Sequence, residues 1–250
     1  MAALMPTLSL QKLQNESARI VTGLTRSVSL DNLFNECGWQ TLKGRRESQK
    51  LSFMYKASHG IVPSYISDLI PPTVGETNQY TLRNNEKIRC PAVRTAVSRN
   101  SCIPAGIQLW NNLDSNIRNI NTFNSFKLSI RNKYSPAYVP AYYLKGNRSL
   151  SVIHARLRNN CSDLHLDLFN NSIGEHPYCT CSTEIENAEH YFLKCTNFIN
   201  QRVTLFNATR KFHPLNINTL LFGNSQLSIE ENSVIFESVH EFIKQTKRFA

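Results

Sequence analysis

Residues 179–195 read CTCSTEIENAEHYFLKC, and they contain three of the seven cysteines in a chain of 250 residues. His190 lies between the second and third of these cysteines, so Cys179, Cys181, His190 and Cys195 have the spacing C-x-C-x8-H-x4-C. Three thiolates and one imidazole form a closed, tetrahedral ligand set of the kind that structural zinc prefers. The stretch therefore predicts a zinc knuckle that binds one structural zinc ion (Zn2+).

Helix geometry sets a condition on this predicted site. On an ideal α-helix His190 and Cys195 would point about 140° apart, because each residue turns the chain by about 100°. The helix must therefore end or unwind between them. Two alternatives stay open, namely buried free cysteines with an incidental histidine, and His176 as a substitute ligand. Four protein ligands leave no position for water or substrate, so we expect no hydrolytic role for the metal.

The remaining composition is that of a folded protein without a membrane-spanning segment. Hydrophobic residues make up 41% and charged residues 18% of the chain, and no window approaches the roughly 18 consecutive apolar residues of a membrane helix. The N-terminal segment is too polar for a secretory signal. An odd number of unevenly spaced cysteines suits thiols or metal ligands in a reducing compartment. We expect an intracellular protein, nuclear or cytoplasmic or both, with no membrane partner.

Hydrophobic periodicity and turn residues predict a mainly α fold in three parts. Residues 1–70 are expected to form an N-terminal helical bundle. Residues 71–140 are expected to form a mixed segment with short extended or hairpin pieces and helices. Residues 141–250 are expected to form a C-terminal helical domain that carries the zinc knuckle at 179–195. Proline and glycine residues mark a linker over about 136–147.

The helices of the first part have recognisable ends. One helix covers about residues 10–24, and another covers about 41–59. Between them lies LDNLFNEC, which Ser29 can cap at its start and Gly38 can close in the left-handed conformation. Helical patterns return farther along the chain in GIQLWNNL (106–113), in TFNSFKLSIRNKY (122–134), in two stretches within 153–168, and in a closing helix around 234–243.

The net charge of +10 is concentrated upstream. Residues 1–140 contain 17 Lys and Arg against 8 Asp and Glu, whereas residues 141–250 contain 11 against 10. Between Ser115 and Ser162 there is no acidic residue, and basic and aromatic side chains are interleaved. Cationic grooves with exposed rings bind single-stranded nucleic acid. We expect RNA or DNA contacts from Arg45, Arg46, Lys127, Arg131, Lys133, Tyr142, Tyr143, Lys145, Arg148, Arg156 and Arg158.

Part of this pattern has a plainer interpretation. Phe123, Phe126, Ile130 and Tyr134 are spaced by three and four residues, which is typical of the core face of a helix. For these four the core interpretation is favoured, and the tyrosines near Pro140 are the better candidates for stacking on bases. A solvated basic face that binds no partner remains the alternative for the charge itself.

No pattern of catalytic residues is evident in the sequence. None of the nine glycines forms a phosphate-binding loop. Metal-dependent phosphoryl transfer needs clustered aspartates, and pairs such as Asp163 and Asp167 suit a solvated helix face better. A cysteine nucleophile is disfavoured, because a metal explains the cysteine and histidine cluster better. We therefore expect no enzyme activity and no small-molecule substrate.

Five stretches, taken in order, carry a resemblance to a known family. They cover nearly all of residues 8–205. The chain resembles the region downstream of the reverse transcriptase in jockey-like non-LTR retrotransposon polyproteins. The stretches are LQKLQNESARIVTG (10–23), LFNECGWQTLKGRRESQKLSFMYKASHGIVPSYISDLI (33–70), AGIQLWNNLDSNIRNINTFNSFKLSIRNKY (105–134), IHARLRNNCSDLHLDLF (153–169) and PYCTCSTEIENAEHYFLKC (177–195).

The resemblance implies a function. In that family a helical thumb follows the polymerase, and a C-C-H-C zinc knuckle follows the thumb, at the positions of Cys179, Cys181, His190 and Cys195 here. The region helps to hold template RNA and target DNA. This chain has Ser182 where the knuckle usually has glycine, and it lacks the F/Y-x-D-D motif of the polymerase. We expect a non-catalytic, nucleic-acid-binding remnant; the alternative is a host zinc-binding module that docks a protein.

Overall fold

The computed structural model describes residues 5–77, 85–134, 138–181 and 184–250. These residues confirm the mainly α fold. In the described part of the chain, the helices are α1 (Met5–Thr22), α2 (Leu30–Cys37), α3 (Leu42–Ser58), α4 (Ser64–Ser67), α5 (Val74–Thr77), α6 (Ala96–Arg99), α7 (Cys102–Asn111), α8 (Ser115–Arg118), α9 (Phe123–Tyr134), α10 (Arg148–Arg158), α11 (His165–Asn170), α12 (Ile199–Ala208), α13 (Ile217–Phe222) and α14 (Ile229–Thr246).

Short turns of other helix types connect some of these α-helices. A π-helical turn covers His190–Lys194. Turns of 3-10 helix cover Ala141–Leu144, Thr196–Phe198 and Arg210–Phe212. Across 5–77, 85–134, 138–181 and 184–250, no helix combines the length and apolar character that a membrane crossing needs.

The extended pieces expected within 71–140 contribute little regular structure. Thr73 and Ile88 form an isolated antiparallel bridge, and no strand occurs among the described residues. The run AVRTAVS at 92–98 instead leads into α6, because Thr95 caps that helix by accepting from the Ser98 amide over 3.1 Å. The run YTLR at 80–83 lies outside the described residues.

The chain forms two compact units. The first unit comprises Met1–Lys12 and Trp39–Pro136, and the second comprises Leu13–Gly38 and Ala137–Ala250. This division differs from the three parts expected over 1–70, 71–140 and 141–250, because residues 13–38 belong with the C-terminal residues. Sequence-local patterns could not show this association, which depends on side chains more than 100 residues away.

The first unit is built around α3, α7 and α9. Tyr55 of α3 stacks on Phe126 of α9 at a ring separation of 4.4 Å, and the Lys56 ammonium lies 4.6 Å from the Phe123 ring. At the other end of the pair, burial and the neighbouring Glu47 carboxylate raise the pKa of Tyr134. The C-terminal end of α3 therefore contacts the N-terminal end of α9, and the N-terminal end of α3 lies near the C-terminal end of α9. The two helices run antiparallel.

The core of the first unit confirms the core interpretation of the α9 pattern. Phe126 and Ile130 are fully buried, and Phe123 and Tyr134 pack against the same cluster. The buried members of this cluster are Leu51, Met54, Tyr55, Ile88, Ile107, Trp110, Leu113, Phe126 and Ile130.

The second unit surrounds α14, whose inner face supplies much of the core. Ser228 and Glu231 form a capping box at its start, and Ile235, Phe236, Val239, Phe242 and Ile243 are buried along its length. The predicted ends of α2 are also confirmed. The Ser29 hydroxyl accepts from the Asn32 amide, and Gly38 adopts a left-handed φ of 65°. The remaining buried members of this core are Tyr142, Leu157, Leu164, Tyr191, Phe192, Leu205, Leu220 and Leu221.

Candidate metal centre and basic surface

A short hairpin presents the first two cysteines of the cluster. Tyr178 and Ile185 form an antiparallel bridge. The Cys179 amide donates to the Glu184 carbonyl over 2.8 Å, and the Glu186 amide donates to the Pro177 carbonyl over 2.9 Å. These bonds turn the chain back on itself immediately around Cys179 and Cys181. Ser182, where the knuckle of the similar family usually has glycine, lies outside the described residues.

A π-helical turn presents the other two ligands and satisfies the condition set by their spacing. The Cys195 amide donates to the His190 carbonyl over 2.7 Å, which is the i to i+5 bond of a π-helix. Residues five apart therefore come to the same side of the chain, instead of pointing about 140° apart as on an α-helix. The turn is anchored by Arg202, which donates to the Phe192 and Cys195 carbonyls over 2.8 and 2.5 Å.

The four predicted ligands come together. One ligand atom from each of Cys179, Cys181, His190 and Cys195 lies within 4.8 Å of all the others. The Sγ atoms of Cys179 and Cys195 are 3.7 Å apart, and Cys181 Sγ is 3.2 Å from His190 Nε2. A tetrahedral zinc site would separate sulfur atoms by about 3.8 Å and sulfur from nitrogen by about 3.6 Å. The cluster could therefore hold a metal ion, and His176 is not part of it.

The electrostatics of the cluster favour a bound cation. Cys179, His190 and Cys195 are buried. Burial raises the pKa of the Cys179 thiol, and it raises that of Cys195 to about 12. Thiolates at these positions therefore need a compensating positive charge, which a coordinated divalent metal supplies directly. The donor set and its burial suit a soft or borderline metal ion.

Glu184 supports the imidazole of His190. Its Oε2 lies 2.9 Å from His190 Nδ1, on the ring nitrogen opposite to the one that faces Cys181. A carboxylate at Nδ1 orients the ring and leaves Nε2 as the metal-binding atom. Asn187 adds a second restraint, because its Oδ1 accepts from the His190 amide over 2.7 Å. The sequence prediction did not include Glu184. An acidic residue between Cys181 and His190 could have indicated a carboxylate that supports the histidine.

A buried ion pair lies beside the cluster. Glu186 is buried and accepts from Arg248 Nε over 2.9 Å and from Arg248 Nη2 over 2.8 Å. Burial opposes ionisation of Glu186, but the bonds from Arg248 and from the His165 amide outweigh it and lower the pKa. Glu186 Oε1 is 4.0 Å from Cys179 Sγ. The pair joins the segment after α14 to the hairpin, and nothing in the local sequence around Arg248 indicated it.

The predicted basic residues of the first unit lie on its surface. Arg45, Lys127, Arg131 and Lys133 are exposed, and Arg46 is half-buried. Because α3 and α9 run antiparallel, the start of α3 and the end of α9 lie at the same end of the helix pair. This end carries Arg45, Arg46, Arg131 and Lys133, and we call these four residues the basic end. No hydrogen bond or ion pair within the described residues engages their side chains.

The tyrosines proposed for base stacking have other partners. Tyr142 is buried, and its hydroxyl donates to the Phe222 carbonyl over 3.0 Å. The Tyr143 ring stacks on Phe236 at 5.3 Å, and the Arg158 guanidinium lies 4.0 Å from its centroid. Both side chains are therefore engaged within the second unit.

The arginines of α10 also bond within the second unit. Arg148 donates to the Ile20 carbonyl over 2.7 Å, and Arg156 donates to the Gly23 carbonyl over 2.9 Å. Arg158 is buried and pairs with Glu36. The first two bonds satisfy carbonyl groups at the end of α1. Lys145, by contrast, is exposed.

Charge divides between the two units more sharply than along the sequence. The first unit contains 15 Lys and Arg against 5 Asp and Glu, which gives +10. The second unit contains 13 against 13, which gives zero. The whole net charge of the chain therefore belongs to the first unit.

No family model, no curated protein and no solved structure matches this chain. The resemblance to non-LTR retrotransposon polyproteins therefore stays a prediction. The function has to be inferred from the geometry and charge of the two units.

Proposed function

We propose that the chain is a non-catalytic nucleic-acid-binding protein. Its first unit binds RNA or DNA mainly through phosphate groups, and one zinc ion stabilises its second unit. The observation that carries the proposal is the basic end, where four basic side chains, none with a partner among the described residues, lie at one end of a helix pair on a unit of charge +10. Charge of one sign on one compact unit attracts a polyanion.

The basic end suits a flexible strand better than a single small anion. Arg45 and Arg46 start α3, and Arg131 and Lys133 end α9, so the four charges extend across the ends of two neighbouring helices. Tyr134, half-buried at the same end, is an aromatic side chain within reach of a bound base. Phosphate contacts of this kind bind single strands with little sequence preference, and stacking adds affinity independently of salt.

The second unit contributes through the metal. Three cysteines and one histidine favour zinc, and four protein ligands close the site to substrate. The ion would join the hairpin that carries Cys179 and Cys181 to the π-helical turn that carries His190 and Cys195. Binding free energy of the metal then becomes folding free energy of this segment, because no preformed site exists in the unfolded chain.

The resemblance to the post-polymerase region of non-LTR retrotransposons agrees with this division of roles. A polypeptide derived from such a region would bind template RNA or target DNA and would need a polymerase elsewhere to copy it. The known sequence lacks the paired aspartates of such a polymerase. We therefore propose binding without catalysis for this chain.

The experiment is fluorescence anisotropy of a labelled single-stranded oligonucleotide across a salt series. If about five basic side chains engage the strand, log affinity against log salt has a slope of about −3.5. Changing Arg45, Arg46, Arg131 and Lys133 together to Gln should reduce the slope to about −0.7, because one of about five contacts would remain. The matched control changes four exposed basic residues of the second unit to Gln, namely Arg210, Lys211, Lys244 and Lys247.

The control variant has the same net charge as the basic-end variant. It should keep the parent slope, because the lost charges lie on the neutral unit. If the salt slope decreased equally in the two variants, net charge alone would drive binding. If the oligonucleotide affinity did not depend on salt concentration, and a specific protein partner were captured, the alternative of a protein-docking module would be favoured.

A further inference from the structure

The first unit contains a cavity of 530 Å³. It lies at the end of α3 opposite to the basic end, since its lining includes Ala57 and His59. Ile70, Ile88 and Trp110 supply apolar lining. Its volume is within the range of roughly 300–1,000 Å³ that is typical of small-ligand pockets. The cavity is large enough for one flat heterocycle.

Arg118 lines this cavity without a strong partner. Its side chain is only 12% exposed, and the nearest carboxylate oxygen, Oε2 of Glu86, lies 3.7 Å from Nη2. That separation is too long for a hydrogen bond. Among the described residues, Arg118 Nε and Nη1 are buried and have no hydrogen-bond acceptor. Buried donors without acceptors cost free energy, so this guanidinium would gain from a ligand that brings acceptors.

The charges around the cavity select the kind of ligand. Glu76 and Glu86 line the cavity together with Arg118, so a free phosphate would meet two carboxylates and one guanidinium. A neutral ligand with adjacent acceptors and adjacent donors fits this arrangement better. Guanine has acceptors at O6 and N7, the commonest specific partner of arginine in nucleic acids, and donors at N1 and N2.

We propose that this cavity binds a guanine base. Arg118 donates to O6 and N7, Glu86 accepts from N1 and N2, and the half-buried Ile70 provides apolar lining beside the ring. Because Nε and Nη1 are buried, these bonds require the guanidinium to turn toward the base. This inference rests on the proposed nucleic-acid binding, and it adds base selection at the end of α3 opposite to the basic end.

The test uses the full chain and labelled oligouridine strands that carry one central guanine, adenine, cytosine or uracil. A bidentate contact discriminates between bases by about 5- to 150-fold. We expect the guanine strand to bind at least 5-fold more tightly than each of the other three. Equal affinity for all four strands, or equal affinity for guanine and cytosine, would overturn the proposal.

Two variants test whether Arg118 and Glu86 are responsible for the preference for guanine. Arg118→Gln should abolish the preference for guanine while leaving the salt slope of the all-uridine strand unchanged. Since Arg118 is largely buried, Glu86→Gln provides a second variant at a side chain that is 65% exposed, and it should weaken the preference without affecting folding. Arg99→Gln removes an exposed positive charge from the same unit and should preserve the preference. A preference that survives both Arg118→Gln and Glu86→Gln would contradict the assignment.

Calorimetry with free guanosine separates this inference from the proposed function. Guanosine carries no phosphate, so its binding reports on the cavity without any contribution from the basic end. We expect guanosine to bind and cytidine not to bind. If oligouridine binds in a salt-dependent way but guanosine does not bind, the guanine site is contradicted and the proposed function is not. Ordered water would then be the acceptor for Arg118. If guanosine binds but oligouridine does not, the proposed function is contradicted and the guanine site is not.

Discussion

The Cys195 amide donates to the His190 carbonyl over 2.7 Å and so closes one π-helical turn. This bond brings two side chains that are five residues apart into the Cys/His cluster, which could hold a metal ion. A π-turn is rare and is found preferentially at functional sites. Here the turn is explained by the convergence of two ligands, and Arg202 holds it through the Phe192 and Cys195 carbonyls.

The first prediction concerns metal content. Protein purified without added zinc should contain one zinc ion per chain, measured by plasma mass spectrometry. The double variant Cys179→Ser/Cys195→Ser should lose the metal, because two of its four ligands are gone. The control Cys102→Ser changes an exposed cysteine outside the cluster and should keep one zinc ion. A parent ratio near zero, or full retention in the double variant, would refute the assignment.

Glu184 gives a sharper test of the geometry. Glu184→Gln should weaken zinc affinity by about 10-fold, because supporting carboxylates of metal-bound histidines contribute about 10- to 100-fold and this one is exposed. Glu189→Gln is the matched control, since Glu189 pairs with Lys194 and not with a ligand. The measurement is competition with a chromophoric chelator. Equal affinities in the two variants would show that Glu184 does not act on His190.

The next prediction compares the effects of a buried arginine, Arg158, and an exposed arginine, Arg148, on the stability of the second unit. Arg158→Gln leaves Glu36 without its buried partner, and we expect a loss of about 3–5 kcal/mol in the free energy of unfolding of the second unit. Arg148→Gln removes one exposed bond to a carbonyl and should cost about 1 kcal/mol. Urea unfolding followed by circular dichroism provides both values. An unfolding free energy unchanged in Arg158→Gln would mean that this side chain is solvated.

Two buried histidines predict a dependence of stability on pH. His154 Nδ1 lies 3.4 Å from His240 Nε2. Burial, followed by the Arg158 charge, lowers the pKa of His154 well below its usual value and that of His240 to about 4. In the unfolded chain both titrate near pH 6.5, so the unfolded state binds more protons below that pH. Stability is therefore complete above about pH 6.5 and falls as the pH decreases toward about 4.

The variant His240→Gln isolates this effect. It removes one of the two titrating groups, so the decrease in the urea midpoint between about pH 7 and pH 5 should be smaller than in the parent. Protonation of the metal ligands affects both proteins equally and cancels in the comparison. A decrease of the same size in both proteins would show that His240 does not contribute.

The parts of the fold that could be predicted were those specified by neighbouring residues. Ser29 and Gly38 marked the ends of α2, and the spacing of Phe126 and Ile130 indicated a core face, because capping and periodicity act within a few residues. The cluster of Cys179, Cys181, His190 and Cys195, which could hold a metal ion, could be predicted for the same reason. Its π-turn could not, since helical periodicity assumes the α-helical spacing.

Two residues of the expected binding surface have partners inside the second unit, for a common physical reason. Arg158 and Tyr143 lie in a basic, aromatic stretch, and sequence alone cannot distinguish a solvated arginine from a paired one. Their partners, Glu36 and Phe236, lie 122 residues before Arg158 and 93 residues after Tyr143 in the chain. Only the tertiary fold shows that α10 faces its own unit, and that Arg45, Arg46, Arg131 and Lys133 on α3 and α9 have no side-chain partner among the described residues.

Ultraviolet crosslinking of the full chain to a single-stranded oligonucleotide, followed by mass-spectrometric mapping, tests whether the basic end binds nucleic acid. We expect crosslinks in peptides that contain the start of α3 and the end of α9, including Tyr134. Changing Arg45, Arg46, Arg131 and Lys133 to Gln should remove them. Crosslinks confined to peptides from 138–250, and unaffected by those substitutions, would contradict binding at the basic end.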